Sequence, residues 1–309
     1  VTTTWAQRRR QRVDDLAAGG GRSLGAEAWR RLRRDPVAIT GAAIVAVFVV
    51  VALFAPLLAP HDAGESFEQL RADLRPDSIP GAQPGFPLGS DQNGRDFFSR
   101  MILASRQTLF VGVFATLVGL AIGLVIGALA GALGGWVDTL LMRGTDVLLA
   151  IPSLLLAISI AALAAKPSQT TVIIAVAIVS VPIFARLLRG AMLAQRESDH
   201  VLAATALGVR RRAIVLRHML PNALGPVIVQ ATLTLATSIL DAAALSFLGL
   251  GDGDPARAEW GLMLANAQAY LDVRPALAFY PAIAIILVAL GFTLLGESLR
   301  EALDPKGRR

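Results

Sequence analysis

Six long apolar stretches leave this chain few ways to fold: they run over 37–59, 108–134, 140–164, 170–188, 223–246 and 276–295. A helix that crosses a bilayer needs about 20 such residues, because the hydrocarbon core is roughly 30 Å thick and each helical residue rises about 1.5 Å. The stretches therefore predict an all-α, polytopic integral membrane protein with six transmembrane helices. Charge content agrees, since only 17% of the 309 residues are Asp, Glu, Lys or Arg, against about 25% in soluble domains. The third stretch is the least regular. Arg143 and Asp146 stand in its first turns and are expected to pair there at the membrane edge.

Orientation follows from the basic residues, which are retained on the cytoplasmic side. With the N-terminus inside, 21 of the 29 Lys and Arg fall on inner segments, whereas the acids divide evenly. Both termini are thus expected in the cytoplasm of a bacterial plasma (inner) membrane. The net charge of +6 reads as a topology signal and gives no reason to invoke nucleic acid. The organisation that results is an Arg-rich segment 1–36, a first span 37–59, an external loop 60–107, a five-helix core 108–296 and a tail 297–309. Within the core lie an inner loop at 186–221 and an outer one at 247–275. The first 36 residues hold nine arginines and are too long and polar for a cleaved leader, so span one is expected to be retained. Their plainest role is attraction to anionic membrane lipid.

In the first external loop, Phe97, Phe98, Met101 and Ile102 share one helical face, which predicts a helix lying in the interface before the chain turns inward. In the second, Gly, Asp and Pro break the helix, and Trp260 and Tyr270 are placed to anchor at headgroup depth. Together these form a face on which a soluble partner could land.

The inner loop carries more pattern. Ser198 or Asp199 caps a helix running to Leu207, Gly208 ends it in a left-handed turn, and "VRRRAIVLRHM" forms a second short helix before Pro221 opens span five. By itself this is either a basic connector or a docking element for an inner partner. Span two carries Gly119, Gly123, Gly127, Gly131 and Gly135, one every fourth residue, a stripe for close helix packing rather than a substrate path. Apart from Asp146 at the edge of the third, Asp241 is the one acid in a span, and it lies near the outer end of its own. A gating or structural pairing, a substrate contact and simple emergence at the interface are all open to it.

Several classes are excluded. There is no cysteine, so disulfides, zinc–thiolate sites and cysteine nucleophiles are impossible. His61, His200 and His218 lie outside the apolar stretches, which removes intramembrane histidine chemistry, and no catalytic or metal-binding residue is assigned. The only lysines, Lys166 and Lys306, precede Pro and Gly, so the chain has no phosphate-binding GxxxxGK[ST] loop. If ATP drives transport, another subunit must bind it.

The stretch "DHVLAATALGVRRRAIVLRHMLPNALGPVIV" resembles the EAA loop of binding-protein-dependent ABC importer permeases. "LGSDQNGRDFFSR", "GGWVDTLLMRGTDVLLAIPSLLLA", "LSFLGLG" with the later "EWG", and "LLGESLREALDP" are similar to the C-type permease of the dipeptide and oligopeptide importers. The resemblance covers about Trp29 to Pro305. It implies the type I importer permease fold, and a permease that does no covalent chemistry and forms half of a translocation pathway for di- or oligopeptides. Its partners would be a homologous second permease, two ATPase subunits and an external solute-binding protein. No cofactor is expected in this chain, because the ATPase subunits would use ATP and Mg²⁺. Relatives in the family carry nickel, glutathione, haem or sugars. By position, Leu202, Ala203, Ala204, Gly208, Arg211, His218, Leu220, Pro221 and Asn222 would form the ATPase-coupling loop. Ala203 and Ala204 would offer the small contact face, and Arg210, Arg211 and Arg212 would flank it. Leu202 stands where the family has a glutamate, and Asp241 where it usually has one.

Overall fold

The computed structural model describes residues 24–75, 78–254 and 256–303; the arginine cluster near the N-terminus and the end of the tail lie outside them. Among the described residues the regular structure is helical, with only isolated β-bridges. Five helices are long and apolar enough to cross a membrane, and a bent pair supplies a sixth crossing.

The short helix α1 (Leu24–Leu32) leads into α2 (Pro36–Leu53), where Asp35 Oδ1 accepts from the Val37 N–H at 3.0 Å and Pro36 occupies the first turn, a position that needs no amide hydrogen. The first expected span is divided at Phe54, after which α3 covers Ala55–Leu58. Next come α4 (Glu68–Ala72) and α5 (Phe97–Leu133). The helix expected around Phe97 and Phe98 exists, but as the first turns of α5, with no break before span two. Phe97, Ser99 and Arg100 in these turns are buried, and His61 N–H donates to Ser99 Oγ at 3.0 Å from the outer loop. Asp96 caps α5 by accepting from the N–H groups of Phe98 and Ser99, and its other partner is His61 Nδ1 at 2.9 Å. Arg100, on the second turn, meets Asp91 at 3.4 Å and donates to the Ala63 carbonyl. A buried guanidinium so paired holds the outer loop to the helix.

Trp260 departs from the expectation in the same region. Its side chain is 1% exposed, its indole N–H donates to the Met101 carbonyl at 3.1 Å, and its ring meets Phe48 edge-on. It is a core residue, since the helix it opens, α11 (Trp260–Ala267), is seated between α10 (Arg211–Phe247) and α12 (Ala276–Leu303). Gly261 allows that seating, because a Cβ there would lie 2.8 Å from Ala243 Cα.

The third crossing is α6 (Gly135–Ala150) followed by α7 (Ser153–Ala162), bent by 93°. Pro152 causes the break: it lacks an N–H, and its ring pushes Ile151 into the extended region, at φ −94° and ψ 131°. Arg143 and Asp146 do not pair with each other. Asp146 instead accepts from Arg186 of α8 (Gln169–Arg196) at 2.6 Å, and Asp138 takes Arg189 through two nitrogens. Guanidiniums arriving from the neighbouring helix reach these carboxylates squarely.

The pair α5 and α8 forms the most extensive helix interface. A Cβ at Gly123 would sit 2.6 Å from Phe184 Cβ, one at Gly127 2.5 Å from the Ala185 carbonyl oxygen, and one at Gly131 2.9 Å from Met192 Cβ. Four of the five glycines therefore serve backbone-close packing, while Gly135 belongs to the turn, with φ +58°.

Candidate functional site

At the end of the bundle opposite the Trp260 core, α9 (Asp199–Ala206) projects between α8 and α10. Two hydrogen bonds stop it: Gly208 N–H donates to Thr205 O at 3.0 Å and Val209 N–H to Ala204 O at 3.1 Å. That pattern needs a left-handed residue, and Gly208 supplies it with φ +74°. Helix, glycine turn and basic helix thus follow the sequence expectation closely. The second helix differs in one respect. It does not end before Pro221 but runs through it, with a π-helical turn at Ile214–Met219 immediately upstream. Leu220 N–H reaches back to Val215 O, and this wider turn accommodates the proline that follows.

The loop residues divide into those that face inward and those that do not. Val201 and Ala204 are buried with Leu188, Met192, Ile214, Met219, Ala223 and Val227, and Leu220 packs at the margin of this cluster. Ala203 is exposed, as are Leu202 at 55% and Leu207 at 84%. The two alanines therefore do not form one contact face: Ala204 fastens α9 to the protein, and the outward surface is Leu202, Ala203 and Leu207. Nor is Arg211 free to flank a partner. Its guanidinium donates to Ala132 O at 2.6 Å and Leu133 O at 3.2 Å, the last carbonyls of α5, and Arg196 adds a bond to Gly131 O. Cations at a helix C-terminus satisfy the carbonyls and the dipole together. Arg210 and Arg212 remain exposed. Asn222 Nδ2 donates to the His218 carbonyl at 2.7 Å and lies 3.3 Å from His200 Nε2, which links α9 to α10.

Asp241 lies half-buried on α10, and no side chain among the described residues pairs with it. The carboxylate that is engaged at that end is Glu259, whose residue sequence reasoning passed over although "EWG" was singled out. Glu259 is 6% exposed and accepts from Ser246 Oγ at 2.7 Å. Burial, aided by nearby Asp252, pushes its carboxyl up to about 7. Arg274, also missed, donates to the carbonyls of Ile79, Pro80 and Leu88 and so ties the first outer loop to the start of α12. Neither role has a sequence signature, because each depends on loops distant in the chain. Beside them a cleft of about 950 Å³ opens between 62–65 and 256–258, with Arg106 and Gln107 of α5 and Gln169 on its walls.

The chain is similar to known proteins. Residues 123–309 match the family described as the binding-protein-dependent transport system inner membrane component, and residues 23–76 match the N-terminal transmembrane domain of oligopeptide transport permease C. The dipeptide transport system permease protein of Alkalihalophilus pseudofirmus is 43% identical over 91% of this chain and 89% of its own length. The glutathione transport system permease protein of Shigella flexneri is 47% identical, covering 91% and 90%. Two solved structures share the fold at 18% identity. One is the inward-facing MetNI methionine ABC transporter (TM-score 0.54; 66% of this chain, 96% of that one). The other is an amino acid ABC transporter (TM-score 0.50; 67% and 92%). A chain matched over this length, with the bundle and the projecting loop in place, belongs to the binding-protein-dependent ABC importer permeases, as a membrane-spanning transport subunit.

Proposed function

We propose that this permease forms half of the translocation path of an ATP-driven importer of small peptides, and that α9 with its Gly208 turn docks on a separate ATPase subunit. The observation that carries this reading is the stiffness of an exposed element. Leu202, Ala203 and Leu207 point away from the chain, while Ala204 and the Asn222–His200 contact fasten the same short helix to α8 and α10, and Arg211 ties the start of α10 to the end of α5. A rigid handle transmits a push from a partner into the bundle, whereas a loose connector would absorb it. The uncharged Leu202 gives the contact an apolar centre, and Arg210 and Arg212 supply its charged margin.

The other partners are a homologous second permease, two ATPase subunits in all, and an external solute-binding protein. The outer face built from 60–96 and 248–275, with its charged cleft, suits a soluble landing partner. The excess of Lys and Arg on one side supports a plasma (inner) membrane location with both termini cytoplasmic. ATP and Mg²⁺ act in the ATPase subunits. Small peptides are the favoured cargo because the dipeptide and glutathione permeases above are both close relatives in sequence. Glutathione import is the second reading, favoured by the 47% identical relative. Purification of the tagged chain in mild detergent from its native membrane, followed by mass spectrometry, tests the assembly. Recovery of a second permease with ATPase subunits is expected; reproducible recovery of the folded chain alone would overturn it.

A further inference from the structure

The cleft of about 950 Å³ on the outer face carries charges of both signs that do not meet. Leu103, Arg106, Gln107 and Phe110 recur at helical spacing and give α5 one face toward it. Asp62 and Glu65 stand on the wall supplied by the first outer loop. Arg106, Asp62 and Glu65 are exposed, and none of these side chains has a hydrogen-bond or ion-pair partner among the described residues. The other cation of the lining, Arg257, is already engaged: it pairs with Asp252 at 2.8 Å and Asp254 at 3.8 Å, and donates to Gln169.

The walls are fixed before anything binds. His61 N–H donates to Ser99 Oγ at 3.0 Å and Arg100 holds the Ala63 carbonyl, so the loop carrying the two acids is fastened to α5. Opposite, Ala258 is buried and the Trp260 N–H reaches Thr108 Oγ1 at 3.4 Å, which anchors the 256–258 wall to the same helix. A preformed wall loses little freedom when a ligand arrives. The volume lies within the roughly 300–1,000 Å³ of small-ligand sites, and so does the make-up, with apolar Leu103 and Phe110 beside a few convergent polar groups.

We infer that this cleft receives the free peptide as a zwitterion, its carboxylate at Arg106 and its ammonium at Asp62 and Glu65, when the binding protein releases it on the outer face. This rests on the importer reading above and adds to it a station on this chain and the charge of the cargo. A ligand with both charges satisfies both walls, whereas an anion meets two carboxylates for one free guanidinium. A dipeptide of no net charge therefore fits, and glutathione, with two carboxylates and one ammonium, fits poorly. The cleft thus separates two cargo readings that relatives of 43% and 47% identity leave open. Exposed ion pairs are individually weak, so the peptide is held loosely enough to move on.

Because the chain contains no cysteine, Ala256→Cys gives it a single thiol in the lining, at an exposed position outside the proposed contacts. The assembled transporter in nanodiscs, without binding protein or nucleotide, is treated with a charged methanethiosulfonate, and labelling is read on this chain by mass spectrometry. Dialanine at about 2 mM should slow labelling about threefold, as expected for a Kd of about 1 mM. Dialanine amide, N-acetyl-dialanine and S-methylglutathione should protect far less. Arg106→Gln should abolish the protection by dialanine, as should Asp62→Asn combined with Glu65→Gln, and Arg106→Lys should keep part of it. Full protection by the amide or the acetylated peptide, or full protection in the Arg106→Gln protein, would overturn the inference. So would no protection by dialanine, and protection by ligand-free binding protein in its place would assign the cleft to a segment of that protein. ATP-driven uptake of dialanine into proteoliposomes supplied with binding protein separates the two claims. Uptake without protection sinks the cleft alone, whereas protection without uptake keeps the cleft and sinks the importer reading.

Discussion

Gly208 offers the most direct perturbation of the projecting loop. Its φ of +74° is a conformation that L side chains adopt at a cost of roughly 1–2 kcal/mol, with Asn near the lower end. A Cβ there would meet no atom within 4 Å, so the penalty is conformational and not steric. Gly208→Ala should then reduce the correctly presented loop about five- to thirtyfold, taking 1.4 kcal/mol per factor of ten. Gly208→Pro is harsher. The ring holds φ near −65° and removes the N–H that donates to Thr205, so about 3 kcal/mol or more is lost and over a hundredfold of the population with it. ATP hydrolysis and peptide uptake, measured together on the reconstituted complex, should show transport per ATP falling in the order Gly, Asn, Ala, Pro. Recovery of all subunits in a tag pull-down would confirm that assembly survives. Native uptake by Gly208→Pro, or equal losses for Asn and Pro, would refute the reasoning, because either means the left-handed turn does not present the docking helix.

Other parts of the structure give shorter tests. Glu259 has its carboxyl raised above the ordinary 4.5 to about 7, so its contribution to holding the 248–259 segment is fully present below about pH 4.5 and is lost as pH rises through 7. Protease resistance of that segment should therefore be greater at pH 5 than at pH 8, and Glu259→Gln should remove the difference; an unchanged pH profile in the variant would show that another group is responsible. Arg274→Ala leaves three carbonyls without their donor, a loss of about 1.5–3 kcal/mol for each charged hydrogen bond. Residues 60–96 should become protease-sensitive, and Arg274→Lys should rescue little, since an ammonium cannot span three acceptors as a planar fork does. Gly127→Leu places side-chain atoms where a bare Cβ already stands 2.5 Å from Ala185 O. The α5–α8 contact should weaken by about 1–3 kcal/mol or more, seen as loss of detergent-stable protein in size-exclusion chromatography; undiminished yield and stability would contradict backbone-close packing.

The crossings were legible because hydrophobic length is a one-dimensional property, and so was the Gly208 turn, whose cap chemistry is local. The glycine stripe was legible for the same reason, though not the identity of its partner, α8. What sequence reasoning missed depends on segments far apart in the chain. Trp260 and Tyr270 looked alike as interface anchors until α11 was seen seated on α10, which buries the tryptophan. The Phe97 helix looked amphipathic in isolation, yet its polar residues Ser99 and Arg100 are buried as well, bonded to His61 and Ala63 of the outer loop. Arg143 and Asp146, three residues apart, invited a local pairing that Arg186, forty residues further on, takes instead. At the loop, the motif placed Ala203 and Ala204 side by side, but the helical period turns them to different surroundings, and only Ala203 faces outward.

The central claim is that this chain moves its cargo only as part of an ATP-driven assembly. Its most direct test is uptake of radiolabelled dipeptide into proteoliposomes, comparing the full complex with the purified chain alone. The expected result is accumulation that requires the second permease, the ATPase subunits, the external binding protein and ATP together, with none from the chain alone under any imposed ion gradient. Accumulation by the chain alone, driven by a proton or sodium gradient and indifferent to ATP, would contradict the account.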